Sequence, residues 1–74
     1  MEFNEKQFTR CPDGTLVAEA SDLQLKSTLP RLQVRGSSTE LSLFQFDRAD
    51  FHNGEVTGWR YRSNSGGKLL IIND

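Results

Sequence analysis

Apolar and polar residues alternate along several short stretches of this chain. In the stretch after residues 12–14, Leu16, Ala18 and Ala20 share one parity, and Val17 and Glu19 stand on the other. Successive side chains of a β-strand point to opposite faces of its sheet, so this alternation predicts a strand with one buried face. The Pro-Asp-Gly segment before it is typical of a tight turn, because proline presets φ and glycine accepts a positive φ.

The apolar parity changes after residues 21–22. Leu23 and Leu25 continue an apolar face there on the other parity. A slip of one residue would turn the core side of a strand toward water, so we expect a bulge or a break at this point. Pro30 interrupts the pattern because it donates nothing to a strand ladder, and residues 32–34 then predict a short further strand.

The second half of the chain contains the strongest strand signals. Both parities are apolar at Leu43 and Phe44, which indicates a strand covered on both sides. Residues 47–54 look like a polar connection that ends in an Asn-Gly pair, a favoured turn. The patterned runs 55–62 and 68–73 flank a Ser/Asn/Gly loop of five residues, so they predict a β-hairpin.

These patterns predict an all-β fold, a small antiparallel sandwich or partly open barrel of about five or six short strands. The 74 residues form a single domain, 1–74. Residues 1–10 and 23–32 are each compatible with one short helical turn. The side chains expected in the core are Leu16, Leu23, Leu25, Leu32, Val34, Leu41, Leu43, Phe46, Val56, Trp59, Leu70 and Ile72.

Size and composition exclude several functional classes. A domain of 74 residues builds one thin core and leaves little volume for a pocket of roughly 300–1,000 Å³, so we do not expect an enzyme. The single cysteine, Cys11, cannot form an intramolecular disulfide. The N-terminal segment is polar and lacks the apolar region of a signal peptide, and no apolar run has membrane-spanning length. A reducing, cytoplasmic location fits these features best.

Cys11 and His52 are the only soft nucleophile and the only imidazole of the chain. A Cys–His pair can perform acyl transfer when the imidazole generates the thiolate, and Arg10 would favour that thiolate slightly. Catalysis also needs an orienting group, an oxyanion hole and a cleft, and no motif supplies them. We therefore expect a structural cysteine and a loop histidine, and no catalytic residues.

Asp47, Asp50, His52 and Asn53 lie close together in the sequence and carry ligand atoms that hard cations accept. Their spacing differs from the twelve-residue calcium loop, and one histidine is too few for a typical zinc site. Asp and Asn are also the residues with which a polar turn hydrogen-bonds its own backbone. We therefore expect no metal and no cofactor.

The segment 59–62, Trp-Arg-Tyr-Arg, is the most suggestive binding signal. In a strand, Trp59 and Tyr61 point to one face and the two arginines to the other. Aromatic platforms flanked by basic charge bind single-stranded nucleic acid. The same alternation fits aromatics in the core and arginines in water, and the net charge of −1 provides no excess of basic charge. The candidate binding surface is Arg31, Arg35, Trp59, Arg60, Tyr61, Arg62 and Lys68.

Protein association is the function that the sequence favours. The run 69–72 is apolar at every position, so a strand formed there must be paired or covered on all sides. Trp, Tyr and Arg are also enriched at the energetic centres of protein interfaces. We therefore expect a protein-binding or self-associating module. Self-association would give a homodimer or a larger closed oligomer through sheet-edge or sheet-face contacts that include residues 68–73. The alternative is a single-stranded nucleic-acid-binding domain that uses Trp59 and Tyr61 with Arg60 and Arg62.

Overall fold

The computed structural model describes residues 2–3, 7–24, 34–36 and 43–74, and within these ranges the chain forms one mixed sheet. The strands lie in the order β1-β4-β5-β6-β7-β3-β2. The pairs β1–β4 and β3–β7 are parallel, and the other four are antiparallel. The all-β fold class is confirmed. In chain order the elements are β1 (Glu2–Phe3), β2 (Thr9–Arg10), β3 (Leu16–Glu19), α1 (Ala20–Leu23), β4 (Val34–Gly36), β5 (Leu43–His52), β6 (Glu55–Ser63) and β7 (Lys68–Ile72).

The turn expected at residues 12–14 joins β2 to β3. The backbone N–H of Cys11 donates to the carbonyl of Thr15 at 2.8 Å, and Gly14 takes a φ of 92°. The carboxylate of Asp13 accepts the backbone N–H of Thr15 at 2.9 Å, and this bond is the main reason that the pKa of Asp13 is lowered. The turn predicted from the Pro-Asp-Gly segment is therefore confirmed.

The break expected at residues 21–22 is the short helix α1. Its C-cap residue is Gln24, whose φ of 56° is left-handed, and the helix buries Ala20 and Leu23 in the core. The backbone N–H of Ser21 donates to Oδ1 of Asp74 at 2.9 Å, so a residue 53 positions away in the sequence stabilises this turn. A helical turn thus absorbs the change of parity that a continuous strand could not accommodate.

The polar connection expected over residues 47–54 is wrong, because β5 continues to His52. Asn53 and Gly54 both take positive φ angles, 51° and 80°, as a two-residue hairpin turn requires. Such a turn demands paired strands on both sides of it. The ladder between β5 and β6 shifts register twice, and it leaves Asp47 on β5 and Thr57 on β6 as extra residues. These extra residues interrupt the alternation of apolar and polar positions, so the sequence pattern did not indicate a strand over residues 47–52.

The hairpin expected from 55–62 and 68–73 is confirmed as β6 and β7. Its loop is closed by Ser63, whose backbone N–H donates to the carbonyl of Gly67 at 3.0 Å. The hydroxyl of Ser63 accepts the backbone N–H of Gly67 at 2.9 Å and lies 3.0 Å from Oγ of Ser65. A Cβ at Gly67 would lie 2.8 Å from that hydroxyl, so the loop requires glycine there.

The core lies on one face of the sheet, which we call the inner face. Tyr61 stands opposite Leu69 on β7, and Trp59 stands opposite Ile71. The inner face continues onto β3 and β5 and is closed at one side by α1. The buried apolar residues of the described chain are Leu16, Ala18, Ala20, Leu23, Phe44, Trp59, Tyr61, Leu69 and Ile71.

The prediction that Leu70 and Ile72 of β7 lie in the core is wrong, because the buried residues of this strand are Leu69 and Ile71. Leu70 and Ile72 lie on the opposite face, which we call the outer face, and are only half-buried. The run is apolar at both parities, so the pairing with Trp59 and Tyr61 decides which side faces the core. Val56 is half-buried and Phe46 is 39% exposed at the edge of a T-shaped contact with Tyr61, so neither is fully in the core.

Leu16, Leu23 and Trp59 are buried as expected. Leu25, Leu32 and Leu41 lie outside the described residues, as do the side chains of Val34 and Leu43. Within the described ranges, no helix reaches the length and apolar character that a membrane crossing needs.

Candidate functional site

Four basic residues lie together on the outer face, and we call them the basic cluster: Arg48, Arg60, Arg62 and Lys68. Arg48 on β5 is paired directly with Arg60 on β6. Arg62 on β6 is paired directly with Lys68 on β7. Arg60 and Arg62 are two residues apart on one strand, so both point away from the face that holds Trp59 and Tyr61. Three strands thus place four positive charges side by side.

The basic cluster lines a cleft of about 280 Å³. Asp47, the extra residue of the β5 bulge, and Tyr61 complete its lining. Arg48, Arg62 and Lys68 are exposed at the cleft, and the side chain of Arg60 is 39% exposed. Bulges frequently redirect side chains toward functional sites, and this one brings Asp47 and Arg48 to the same opening.

The charges of the cluster are only partly compensated within the described chain. Nε of Arg60 donates to Oδ2 of Asp50 at 2.7 Å. Lys68 contributes a small part of the lowering of the pKa of Asp13, after the hydrogen bonds from Thr15. Within residues 7–24 and 43–74, no carboxylate forms an ion pair with Arg48 or with Arg62. Like charges directly opposite each other in a sheet are destabilising, so the two like-charged pairs of the cluster lower the stability of the sheet.

The structure brings together three of the residues predicted for a binding surface, namely Arg60, Arg62 and Lys68. It adds Arg48, which the sequence interpretation had placed in a connection. The Asn-Gly pair at 53–54 was the signal that could have found it, because a two-residue turn extends the partner strand back through Arg48. Arg31 lies outside the described residues, and Arg35 is described only as a backbone position of β4.

The aromatic residues predicted for the same surface are in the core. Trp59 is 8% exposed and Tyr61 is 1% exposed. Burial raises the pKa of Tyr61 to about 12, because the ionised phenolate would lose its hydration. A stacking platform needs an open aromatic face, so neither ring can serve as one in this fold. In the Trp-Arg-Tyr-Arg segment, the aromatic side chains therefore belong to the core and the arginine side chains to the outer face.

The strand edge expected to pair with a second chain is not an edge. β7 lies between β6 and β3 and pairs with both of them, including Leu69 opposite Leu16. Its backbone groups are therefore engaged within the sheet. Edge pairing of a second chain with residues 68–73 is therefore wrong, whereas association through a sheet face that includes these residues stays a prediction.

The other candidate chemistry is dispersed. Cys11 is half-buried beside the turn after β2, while His52 is exposed at the end of β5. Among the described residues, no three His, Cys, Asp or Glu side chains are grouped to hold a metal ion. Asp50, one of the residues considered as a cation ligand, is instead the ion-pair partner of Arg60.

Comparisons of the chain with protein-family models, with curated proteins and with solved structures find no match.

Proposed function

We propose that this domain is a binding module that recognises an acidic segment of a partner protein through the basic cluster. The observation that supports this most directly is the double pairing of like charges, Arg48 opposite Arg60 and Arg62 opposite Lys68. Opposite-charge pairs at these positions would stabilise the sheet, whereas like-charge pairs weaken it. Local violations of a stability rule are characteristic of functional sites.

An anion placed in the cleft relieves this repulsion. It lies between the two like-charged pairs and attracts all four cations at once. Arginine guanidinium groups also present a planar fork of donors that suits carboxylate and phosphate oxygens. Among the described residues Arg48 and Arg62 form no ion pair, so no carboxylate of that part of the chain competes with a partner for their donors.

A protein partner is favoured over nucleic acid by what surrounds the cluster. Leu70 stands opposite Arg60, and Val17 stands opposite Leu70, so an apolar row with Ile72 borders the cleft on the outer face. These side chains are half-buried and suit contacts with the side chains of a peptide. The aromatic rings that nucleic-acid bases would stack on are buried on the inner face.

A second copy of this chain is a poor occupant of the same surface. A two-fold dimer uses the same patch on both subunits. Such a dimer would place one basic cluster against another and would repeat the repulsion already present in each sheet. The proposal therefore assigns the surface to a partner of opposite charge.

Fluorescence anisotropy with a labelled ten-residue glutamate-rich peptide tests the proposal. We expect binding that weakens steeply from about 50 to 300 mM salt, because screening acts on exposed charges. Arg62→Gln should weaken binding by about tenfold, as expected for the loss of a charge-assisted hydrogen bond. Arg10→Gln is the matched control, because Arg10 is exposed on β2, does not line the cleft and carries the same charge.

Equal loss of affinity in the Arg62 and Arg10 variants would show that only net charge matters and would overturn the assigned surface. A labelled twelve-residue oligothymidylate provides the comparison with nucleic acid. If the oligonucleotide binds more tightly than the peptide under the same conditions, the domain is a nucleic-acid binder and the protein-partner proposal fails.

A further inference from the structure

The cleft carries a net charge close to +2. Four cations line it, and two carboxylates compensate them: Asp47 in the lining and Asp50 on Arg60. We infer that the cleft binds the phosphoryl group of a phosphorylated side chain in the partner peptide. This inference rests on the proposed function and deepens it. A phosphate monoester carries about −1.5 to −2 charges at pH 7, which matches the cleft better than one carboxylate does.

The donor arrangement suits a tetrahedral group with three acceptor oxygens. Asp50 holds Arg60 through Nε only, so the terminal nitrogens of that guanidinium remain for a ligand. Arg48 stands directly across the ladder from Arg60 and has no carboxylate partner among the described residues. Arg62 and Lys68 add charge from the neighbouring ladder. Phosphoryl oxygens can therefore be approached from two sides, by donors of three strands.

The size of the cleft favours a phosphorylated side chain over a whole nucleotide. Pockets that enclose a drug-sized molecule have about 300–1,000 Å³, and this cleft, at about 280 Å³, lies just below that range. It accommodates a phosphoryl group and the end of the side chain that carries it. A nucleobase would have to rest on the adjoining surface, where the described apolar residues of the outer face are Leu70, Val17 and Ile72, none of them aromatic.

The same apolar row fits the remainder of a peptide. Leu70 is directly opposite Arg60 on the outer face, so apolar contact and phosphoryl contact lie one strand apart. Antiparallel strands are about 4.7–4.9 Å apart, a distance that neighbouring side chains of one peptide span easily. A segment with an apolar residue beside its phosphorylated residue would occupy both features.

A set of labelled peptides distinguishes the effect of ligand charge on affinity from the effect of ligand shape. Four labelled nine-residue peptides differ only at the central position, which is phosphotyrosine, sulfotyrosine, glutamate or tyrosine, with leucine and valine beside it. Sulfotyrosine has the shape of phosphotyrosine but a single negative charge. We expect the phosphotyrosine peptide to bind at least about tenfold more tightly than the sulfotyrosine and glutamate peptides in fluorescence anisotropy.

Matched variants assign that preference to the cleft. Arg48→Gln and Arg62→Gln should each reduce affinity for the phosphotyrosine peptide by about tenfold, and Arg10→Gln by less than about twofold. Both cleft residues are exposed, so the fold should persist, and circular dichroism melting verifies this for each variant. Retention of the phosphotyrosine preference in both cleft variants would overturn the assignment.

The possible failures are distinguishable. If sulfotyrosine and glutamate peptides bind within about twofold of phosphotyrosine, the doubly charged ligand is wrong while the acidic-peptide proposal stands. If none of the charged peptides binds more tightly than the tyrosine peptide, both proposals fail. If a 5′-phosphorylated oligothymidylate binds more tightly than the phosphotyrosine peptide, the phosphate belongs to nucleic acid and the peptide assignment fails.

Discussion

Nε of Arg60 lies 2.7 Å from Oδ2 of Asp50, diagonally across the ladder between β5 and β6. The residue directly opposite Arg60 is Arg48, and the residue directly opposite Asp50 is Gly58. The ion pair therefore joins residues that are diagonal neighbours in the ladder, not direct partners. It compensates the charge of Arg60, one of the two arginines that stand opposite each other and line the cleft.

Asp50→Asn removes this compensation and should strengthen binding of a glutamate-rich peptide by several-fold. The pair is partly exposed, so its loss should change the free energy of unfolding by less than about 1 kcal/mol. Glu19→Gln is the control, because Glu19 is exposed on β3, lies outside the cleft and changes the net charge equally. The affinity of both variants for the glutamate-rich peptide is measured by anisotropy titration. If Asp50→Asn binds the peptide no more tightly than Glu19→Gln does, the prediction is contradicted.

Arg48→Glu should separate stability from binding. It converts a like-charged pair into an opposite-charged pair with Arg60, which should raise the free energy of unfolding by about 0.2–1 kcal/mol. The same change should abolish binding of anionic peptides. Urea unfolding and anisotropy are measured on the wild type, Arg48→Glu and Arg48→Gln. A loss of stability in Arg48→Glu would show that Arg48 has a structural role instead.

Ile71→Ala should destabilise the domain much more than Leu70→Ala. Ile71 is fully buried opposite Trp59, whereas Leu70 is half-buried on the outer face. Truncation of a buried isoleucine costs about 2–5 kcal/mol, which is a large share of the stability of a small domain. Ile71→Val, expected to cost about 0.5–1.5 kcal/mol, keeps the comparison measurable if Ile71→Ala does not fold. Equal costs at both positions in urea unfolding would contradict the parity described here.

Tyr61 should make stability fall at high pH. Its pKa is raised to about 12 by burial, above the ordinary value of 10, because the folded state disfavours the phenolate. The contribution of the neutral phenol is fully present below pH 10 and is lost as the pH rises through about 12. Ultraviolet absorbance at the phenolate band follows the titration, and melting temperatures between pH 9 and 12 follow the stability. Tyr61→Phe should show a weaker decline over this range, and an identical decline would contradict the prediction.

Local features of the chain were readable from the sequence. The turns at 12–14 and 53–54, the loop at 63–67 and the parity change at 21–22 each depend on a few neighbouring residues. Their conformations follow from steric limits on φ and from short-range hydrogen bonds, such as the one from Thr15 to Asp13. The all-β class and the β6–β7 hairpin followed from these signals together with strand alternation.

The placement of the strands was decided only by tertiary structure. The apolar run 69–72 has no alternation of its own, and it acquires an inner and an outer parity by pairing with Trp59 and Tyr61 on one side. On its other side it pairs in parallel with β3, which brings Leu16 opposite Leu69. Parallel pairing connects residues far apart in the chain, and no short-range pattern encodes it.

For the basic cluster, too, the sequence determined one part of the arrangement and tertiary structure determined the other. The sequence by itself determined that Arg60 and Arg62 share a face opposite the aromatics, because that follows from the period of a strand. Arg48 and Lys68 join them only through two ladders whose registers include a bulge at Asp47. A shift of one residue in either ladder would send these side chains to the inner face. The cleft therefore exists because register, a non-local property, places four like charges on one surface.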